Sequence, residues 1–117
     1  MKGNVVKEKS FAFAIRIVTL YKFLAEDKRE FVISKQLMRS GTAVGALVRE
    51  AEHGESKLDF IHKMAIAQKE INETLYWLEL LKATNYLTEE QFTSLYTDAD
   101  EIIRLVTSIV KTAKSNK

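Results

Sequence analysis

The chain of 117 residues contains neither cysteine nor proline. Without cysteine it has no disulfide, no thiolate zinc ligand and no cysteine nucleophile. The absence of proline is typical of long helices, because a proline inside a helix costs about 3 kcal/mol. The chain also lacks the roughly 20 consecutive apolar residues of a membrane-spanning helix, and no signal-peptide cleavage site follows its first apolar stretch. These absences favour a cytoplasmic protein of bacterial or viral origin, with no membrane partner.

Hydrophobic periodicity predicts an all-α fold, an antiparallel up-down-up-down four-helix bundle in a single domain of residues 1–117. Apolar residues recur at steps of three and four, and no segment alternates as a strand does. The predicted helices cover residues 10–25, 30–53, 56–84 and 88–114. Because the connections are only a few residues long, consecutive helices are expected to be antiparallel. Both chain termini and the turn between the second and third helices then lie at one end of the bundle.

Several residues have the chemistry of helix ends. Ser10, Ser56 and Thr88 are expected N-caps, and Thr88 opens a capping box of the form Thr-x-x-Gln. Gly54 and Asn85 follow the second and third helices, where a left-handed residue commonly ends a helix. These signals set the predicted boundaries of all four helices.

The first helix is apolar on nearly every side. A single four-helix bundle does not bury that many sides of one helix, so this helix is expected to pack against a further surface. One stripe consists of Phe11, Ala14, Ile15, Val18 and Tyr21, and a second consists of Phe13, Ile17, Leu20 and Leu24. Small residues in the second helix indicate close approach, either by another helix of the same chain or by a second subunit. The predicted homo-oligomer interface contains Phe13, Ile17, Gly41, Gly45, Tyr76, Trp77 and Leu80.

Charge is unevenly distributed, although the formal net charge is only +2. The tails, residues 1–9 and 111–117, hold six of the eighteen Lys and Arg residues and one of the sixteen acids. Along one face of the second helix, Lys, Arg and His alternate with small residues and no acid appears. This stripe predicts a phosphate track or a contact with a neighbouring subunit's acids, and an ordinary solvated face is the alternative. The candidate nucleic-acid-binding residues are Lys7, Lys9, Lys35, Arg39, Arg49, Lys111 and Lys114.

Two Glu/Asp-x-x-His pairs resemble parts of a carboxylate-bridged metal site, which in a bundle also needs acids from the other two helices. They are Glu50-x-x-His53 and Asp59-x-x-His62, both at helix ends. The first helix has no acid between Glu8 and Glu26, so the set is incomplete. There is also no glycine-flanked serine and no phosphate-binding loop. The sequence therefore predicts no catalytic residue, metal, cofactor or small-molecule substrate.

Specific motifs in the second and third helices resemble the protein family whose founding members are encoded in intervening sequences of bacterial 23S ribosomal RNA genes. The matching segments are Gln36–Gly45, Arg49-Glu50-Ala51, Ser56-x-x-Asp59-Phe60-Ile61-His62-Lys63, Ile66-Ala67, Lys69-Glu70, Asn72-Glu73-Thr74 and Tyr76–Leu81. With the Tyr86-Leu87 turn and the flanking helices, the resemblance covers nearly the whole chain. It implies a homo-oligomeric four-helix bundle, a ring of five subunits, with no known enzymatic activity.

The same resemblance implies a role with RNA or DNA only by analogy. A structurally similar accessory protein of diversity-generating retroelements is a basic ring that binds nucleic acid and a reverse transcriptase. Two positions depart from the family pattern: Ala43 stands where a small polar residue is usual, and Leu47 where asparagine is usual. The sequence thus predicts a non-catalytic oligomeric scaffold that binds nucleic acid, and a pure protein–protein interaction module is the alternative.

Overall fold

The computed structural model describes residues 2–116, with side chains from Val5 onward. These residues form four α-helices, α1 (Lys2–Glu26), α2 (Ile33–Glu52), α3 (Lys57–Ala83) and α4 (Glu89–Ser115). Each helix packs against its two neighbours, whereas the backbones of the diagonal pairs α1–α3 and α2–α4 do not approach each other. The rod measures 49 × 22 × 19 Å. The predicted all-α four-helix bundle is confirmed. Met1 and Lys117, which belong to the predicted basic tails, lie outside the described residues.

Helix α1 begins eight residues earlier than predicted, so Ser10 is not its N-cap. Ser10 is buried in the middle of the helix, and its hydroxyl donates to the Lys7 carbonyl at 3.2 Å. A serine that bonds to a preceding carbonyl of its own helix needs no partner elsewhere, so it is tolerated inside a helix. The buried face of α1 follows steps of four and three and consists of Val6, Ser10, Phe13, Ile17, Leu20 and Leu24.

The core lies along the axis of the rod and receives apolar side chains from every helix. The largest fully buried ones include Phe13, Ile17, Leu24, Leu37, Met64, Ile71, Leu78, Leu81 and Ile102. A hydrogen bond between two buried hydroxyls links α3 to α2: Thr74 donates to Ser40 at 2.9 Å. Within the described residues, no buried side-chain nitrogen or oxygen lacks a hydrogen-bond partner. These hydrogen bonds offset the cost of removing the buried polar side chains from water.

A buried carboxylate organises the connection from α1 to α2. Arg29 is left-handed, with φ 57°, and turns the chain so that Glu30 points inward. The Glu30 carboxylate accepts backbone N–H groups of Val32 (3.1 Å), Ile33 (2.9 Å) and Ser34 (2.7 Å). Burial raises the pKa of Glu30, but these hydrogen bonds outweigh it, and the pKa lies below its ordinary value. Glu30 therefore caps α2, which begins at Ile33 and not at residue 30 as predicted.

The α2–α3 turn confirms one of the two predicted end signals. Ser56 is the N-cap of α3, and its hydroxyl oxygen accepts the Asp59 N–H at 3.0 Å. Gly54 is not left-handed, so that prediction is wrong. The residue at 54 must instead be small, because a Cβ there would lie 3.0 Å from the Asp59 carboxylate oxygen. That oxygen is held in place by the Glu55 N–H at 3.2 Å.

The α3–α4 turn has the two predicted end signals. Asn85 is left-handed, with φ 69°, and lies directly after Thr84, the C-cap of α3. Thr88 and Gln91 form the reciprocal capping box, with hydrogen bonds of 3.1 and 2.9 Å. This end of the bundle, which also holds the Glu30 turn, is the turn pole. The opposite end holds the Gly54 turn and both ends of the described chain, and it is the terminal pole.

Candidate nucleic-acid interface

The centre of the predicted cationic stripe on α2 is neutralised by acids of the same chain. The Arg39 guanidinium forms ion pairs with Glu70, at 3.2 Å, and with Glu73, both on α3. The hydrogen bond to Glu73 raises the pKa of Arg39, and Arg39 in turn lowers the pKa of Glu73. The acids that the stripe was predicted to find on a neighbouring subunit therefore come from α3. Arg39 contributes little free positive charge to this surface.

Trp77 belongs to the same network. Its indole N–H donates to Glu73 at 3.1 Å, and this bond also lowers the pKa of Glu73. Tyr76 packs edge-on against the Trp77 ring, with centroids 4.9 Å apart, and remains 57% exposed. Leu80, one turn farther along α3, is half-buried. Of the three predicted interface residues on α3, Tyr76 is thus the one that offers most of its surface to a partner.

The two predicted nucleic-acid-binding lysines of the N-terminal tail, Lys7 and Lys9, lie within α1 and are also paired. Lys7 binds Glu52 of α2 at 2.9 Å, and Lys9 binds Glu101 of α4 at 3.1 Å. The Lys7 hydrogen bond lowers the pKa of Glu52. Both pairs are open to solvent, which screens the attraction between their charges. Their electrostatic effect on a nucleic acid is reduced by the adjacent carboxylates.

The remaining predicted cations carry no salt bridge within the described part of the chain: Lys35, Arg49, Lys111 and Lys114. Arg49 instead stacks over the exposed ring of Phe11, with its guanidinium carbon 5.1 Å from the ring centroid. Lys57, which sequence reasoning missed, is likewise exposed and unpaired at the beginning of α3. The cue was available, because Lys57 directly follows the predicted turn at the pole where the tails were expected to meet.

These cations do not form one continuous track. Lys35 lies near the turn pole, and Arg49 lies about 21 Å away along α2, with the neutralised Arg39 between them. Arg49 lies toward the terminal pole, where Lys57, Lys111 and Lys114 lie on the other helices. The four residues Arg49, Lys57, Lys111 and Lys114 are the terminal basic cluster. It is assembled by the topology of the bundle and not by a single helical face.

Four of the predicted interface residues contribute to contacts within the chain. Phe13 and Ile17 are buried in the core, so neither side chain is available to a second subunit. Gly41 lies against Ile17, where a Cβ would approach Cγ1 to 2.8 Å. A Cβ at Gly45 would lie 3.4 Å from the Ser10 carbonyl oxygen. The glycines therefore allow α1 and α2 to approach closely, and the apolar face that α1 leaves exposed is the other stripe.

Ile15 of that exposed stripe lines a groove between α1 and α4. Phe11 and Ile15 are 53% and 54% exposed. The groove has a cavity volume of about 410 Å³, and its lining includes Ile15, Leu20 and Leu95. Sequence reasoning identified both stripes of α1 but assigned the interface to the buried one. The distinguishing cue is that the buried stripe continues back to Val6, whereas the exposed stripe continues back to a charged residue.

The two Glu/Asp-x-x-His pairs are not arranged as a metal site. Glu50 forms an ion pair with Lys63 at 3.1 Å, and Asp59 accepts the Glu55 N–H. Throughout residues 2–116, no group of three or more His, Asp or Glu side chains is placed to hold a metal ion. In the same range, no helix is long and apolar enough to cross a bilayer.

These features define a class of protein, an antiparallel four-helix bundle with a group of exposed cations at one pole and an exposed apolar helix face. The chain belongs to the 23S rRNA-intervening sequence protein family, whose sequence profile matches residues 2–108. It is similar to a solved structure from Bacteroides thetaiotaomicron VPI-5482, described as a protein with unknown function from the S23 ribosomal protein family. The two are 58% identical over 95% of this chain and 99% of that chain, with a TM-score of 0.94. No curated protein matches the chain.

Proposed function

We propose that the protein is a non-catalytic, cytoplasmic homo-oligomeric scaffold that binds RNA or DNA through the terminal basic cluster. The observation that supports this function is the convergence of Arg49, Lys57, Lys111 and Lys114 at one pole, each exposed and none in a salt bridge with a described residue. Such cations bind phosphates by releasing condensed counterions, which requires no base-specific contact. The expected affinity is therefore independent of sequence and strongly dependent on salt.

Charge-matched double variants test where nucleic acid binds. Lys111→Gln with Lys114→Gln removes two cations from the terminal pole, and Lys28→Gln with Lys35→Gln removes two exposed cations near the turn pole. Binding of a fluorescent single-stranded RNA is measured by anisotropy across a salt series. The terminal variant is expected to flatten the slope of log K against log salt by about 1.4, since each lost phosphate contact contributes about 0.7. The variant at the turn pole is expected to leave the slope unchanged.

If both variants flatten the salt slope equally, nucleic acid binds over the whole surface, and its proposed location at the terminal pole is wrong. An unchanged slope for both would remove the nucleic-acid role. Arg39→Gln provides a further contrast, because Arg39 is already neutralised by Glu70 and Glu73. Its removal is expected to change the salt slope by less than half as much as the loss of Lys111 alone.

The second candidate function is a protein-interaction module that binds no nucleic acid. It is favoured by the exposed apolar side chains Phe11, Ile15 and Tyr76, which are more typical of an interface than of a solvated surface. The same measurements separate the two functions. If the protein is oligomeric in light scattering but binds no RNA or DNA at low salt, it is a protein-interaction module and the nucleic-acid role is wrong.

A further inference from the structure

The outward face of α1 carries an apolar centre between two charges of opposite sign. Phe11 and Ile15 form the centre, with Glu8 seven residues before Ile15 and Lys22 seven residues after it. These positions share one face, because seven residues are close to two helical turns. Glu8 and Lys22 are exposed, and neither has an ion-pair partner in the described part of the chain. The α1 outward face consists of Glu8, Phe11, Ile15 and Lys22.

The outward face of α3 has a comparable pattern with the charges reversed. Tyr76 is its exposed apolar centre, Lys69 lies seven residues before it, and Glu79 lies three residues after it. Lys69 and Glu79 are also exposed and form no salt bridge with any described residue, although Lys69 adds to the lowering of the Glu73 pKa that Arg39 and Trp77 mainly cause. The α3 outward face consists of Lys69, Tyr76 and Glu79. It lies on the opposite side of the rod from the α1 outward face, because α1 and α3 are diagonal.

We propose that the α1 outward face of one copy binds the α3 outward face of a second copy, with the two helices parallel. In this register Glu8 lies opposite Lys69, and Ile15 lies opposite Tyr76. Both intervals are seven residues, about 10 Å, so the charge pair and the apolar pair form together. An antiparallel register would place Lys22 against Lys69, and like charges across an interface oppose binding. The charge pattern therefore selects both the partner and its direction.

The groove beside Ile15 supports the same pairing. Its lining is mostly apolar, and Leu20, Phe23 and Leu95 surround a volume of about 410 Å³. A tyrosine ring that enters from a second copy would fill part of this space and keep its hydroxyl at the polar rim. Within its own chain, Tyr76 touches Trp77 edge-on but remains more than half exposed. The apolar lining of the groove suits an aromatic ring, and Tyr76 of a second copy provides one.

The pairing also determines the symmetry of the assembly. Since the two faces are different surfaces on opposite sides of the rod, the contact is heterologous, and every copy binds one neighbour on each side. Since α1 and α3 run in the same direction within a bundle, parallel docking orients all copies alike. Repetition of this contact places the copies side by side with their long axes parallel, and the assembly closes as a ring only if each contact also rotates one copy relative to the next. This proposal rests on the homo-oligomer of the proposed function and identifies the surfaces that form it.

Complementary single variants test the two faces. Ile15→Glu breaks the α1 outward face, and Tyr76→Glu breaks the α3 outward face. Both side chains are more than half exposed, so the bundle should still fold, which circular dichroism verifies. In light scattering, wild-type protein is expected at several times 13.4 kDa and each variant alone at 13.4 kDa. An equimolar mixture of the variants retains one intact contact and is expected to form a dimer of about 27 kDa, twice the chain mass.

The outcomes distinguish this proposal from the function on which it rests. A wild-type monomer at tens of micromolar would overturn both. A wild-type oligomer whose mass survives either variant, or whose mixed variants do not form dimers, would overturn only the α1–α3 pairing. Leu58→Glu is the matched control, since Leu58 is exposed on α3 but lies 18 residues before Tyr76, beyond the beginning of α1 in this register. Its mass is expected to equal that of the wild type.

A charge exchange tests the direction of the helices. Lys69→Glu alone places two acids together in the parallel register and is expected to raise the concentration for half-assembly at least threefold. Adding Glu8→Lys restores opposite charges and is expected to return that concentration to the wild-type value. Failure of the second substitution to restore assembly would overturn the parallel register.

Discussion

Helix α1 meets α2 at glycines and meets α4 across a groove. On the α2 side, Gly41 receives Ile17, and the two backbones approach closely. On the α4 side, contact is less extensive, and Arg16 bridges to Asp98 (2.6 Å) and to the Ser94 hydroxyl (2.8 Å). Small residues allow apolar packing without a gap, whereas long polar side chains hold two helices together at a greater separation. The open side is therefore the one that can accept a further helix.

The strongest way to break this contrast is to fill the glycine contact. Gly41→Leu adds volume where even a Cβ lies 2.8 Å from Ile17, a buried branched side chain that cannot move aside. We expect a loss of about 3 kcal/mol in the free energy of unfolding, at the upper end of the usual range for overpacking. Urea denaturation measures it. Ala46→Leu is the control, because Ala46 is exposed on the same helix and should tolerate leucine within about 0.5 kcal/mol.

The α1–α2 side also depends on an ionised carboxylate at its turn. Glu30→Gln is expected to lower stability at pH 7 by about 1–2 kcal/mol, as the loss of a helix cap does. Because the folded pKa of Glu30 lies below its ordinary value, its contribution is complete above the unfolded pKa and is lost as the pH falls through the folded pKa. The difference between wild type and variant should therefore shrink in acid. A difference that stays constant down to about pH 2 would contradict this role of the charge.

The smallest effect is expected on the α4 side. Arg16→Gln removes hydrogen bonds to Asp98 and Ser94, but these groups are partly exposed and screened by solvent. The expected loss is less than about 1 kcal/mol, measured by the same denaturation. A loss of more than 2 kcal/mol would show that α4 depends on this bridge, and the contrast between the two sides of α1 would then be wrong.

Much of the fold follows from local sequence chemistry. The four helices, the Ser56 and Thr88 caps and the left-handed Asn85 all depend on residues within a few positions of one another. The failures have a different origin. The buried Ser10 depends on a neighbouring helix, and the neutralised Arg39 depends on acids 31 and 34 residues away, a separation at which a sequence pattern carries no pairing information.

The candidate site was predictable only in part for the same reason. The cationic residues of α2 were evident, but the pairing of Arg39 and the junction of Lys57 with the C-terminal lysines depend on how helices are placed in space. On α1, both stripes have helical spacing, so spacing alone did not select the buried one. Its extension to Val6 would have done so.

Both ends of the described chain lie at the terminal pole, and this has a consequence for how the helices can be reordered. A short linker joining residue 116 to residue 2 would span neighbouring helix ends, and new ends opened at the Gly54 turn would emerge at the same pole. Such a circular permutant would run α3–α4–α1–α2 with every helix contact retained. The four antiparallel helices thus form a closed cycle of contacts, and the α4–α1 and α2–α3 junctions of that cycle both lie at the terminal pole.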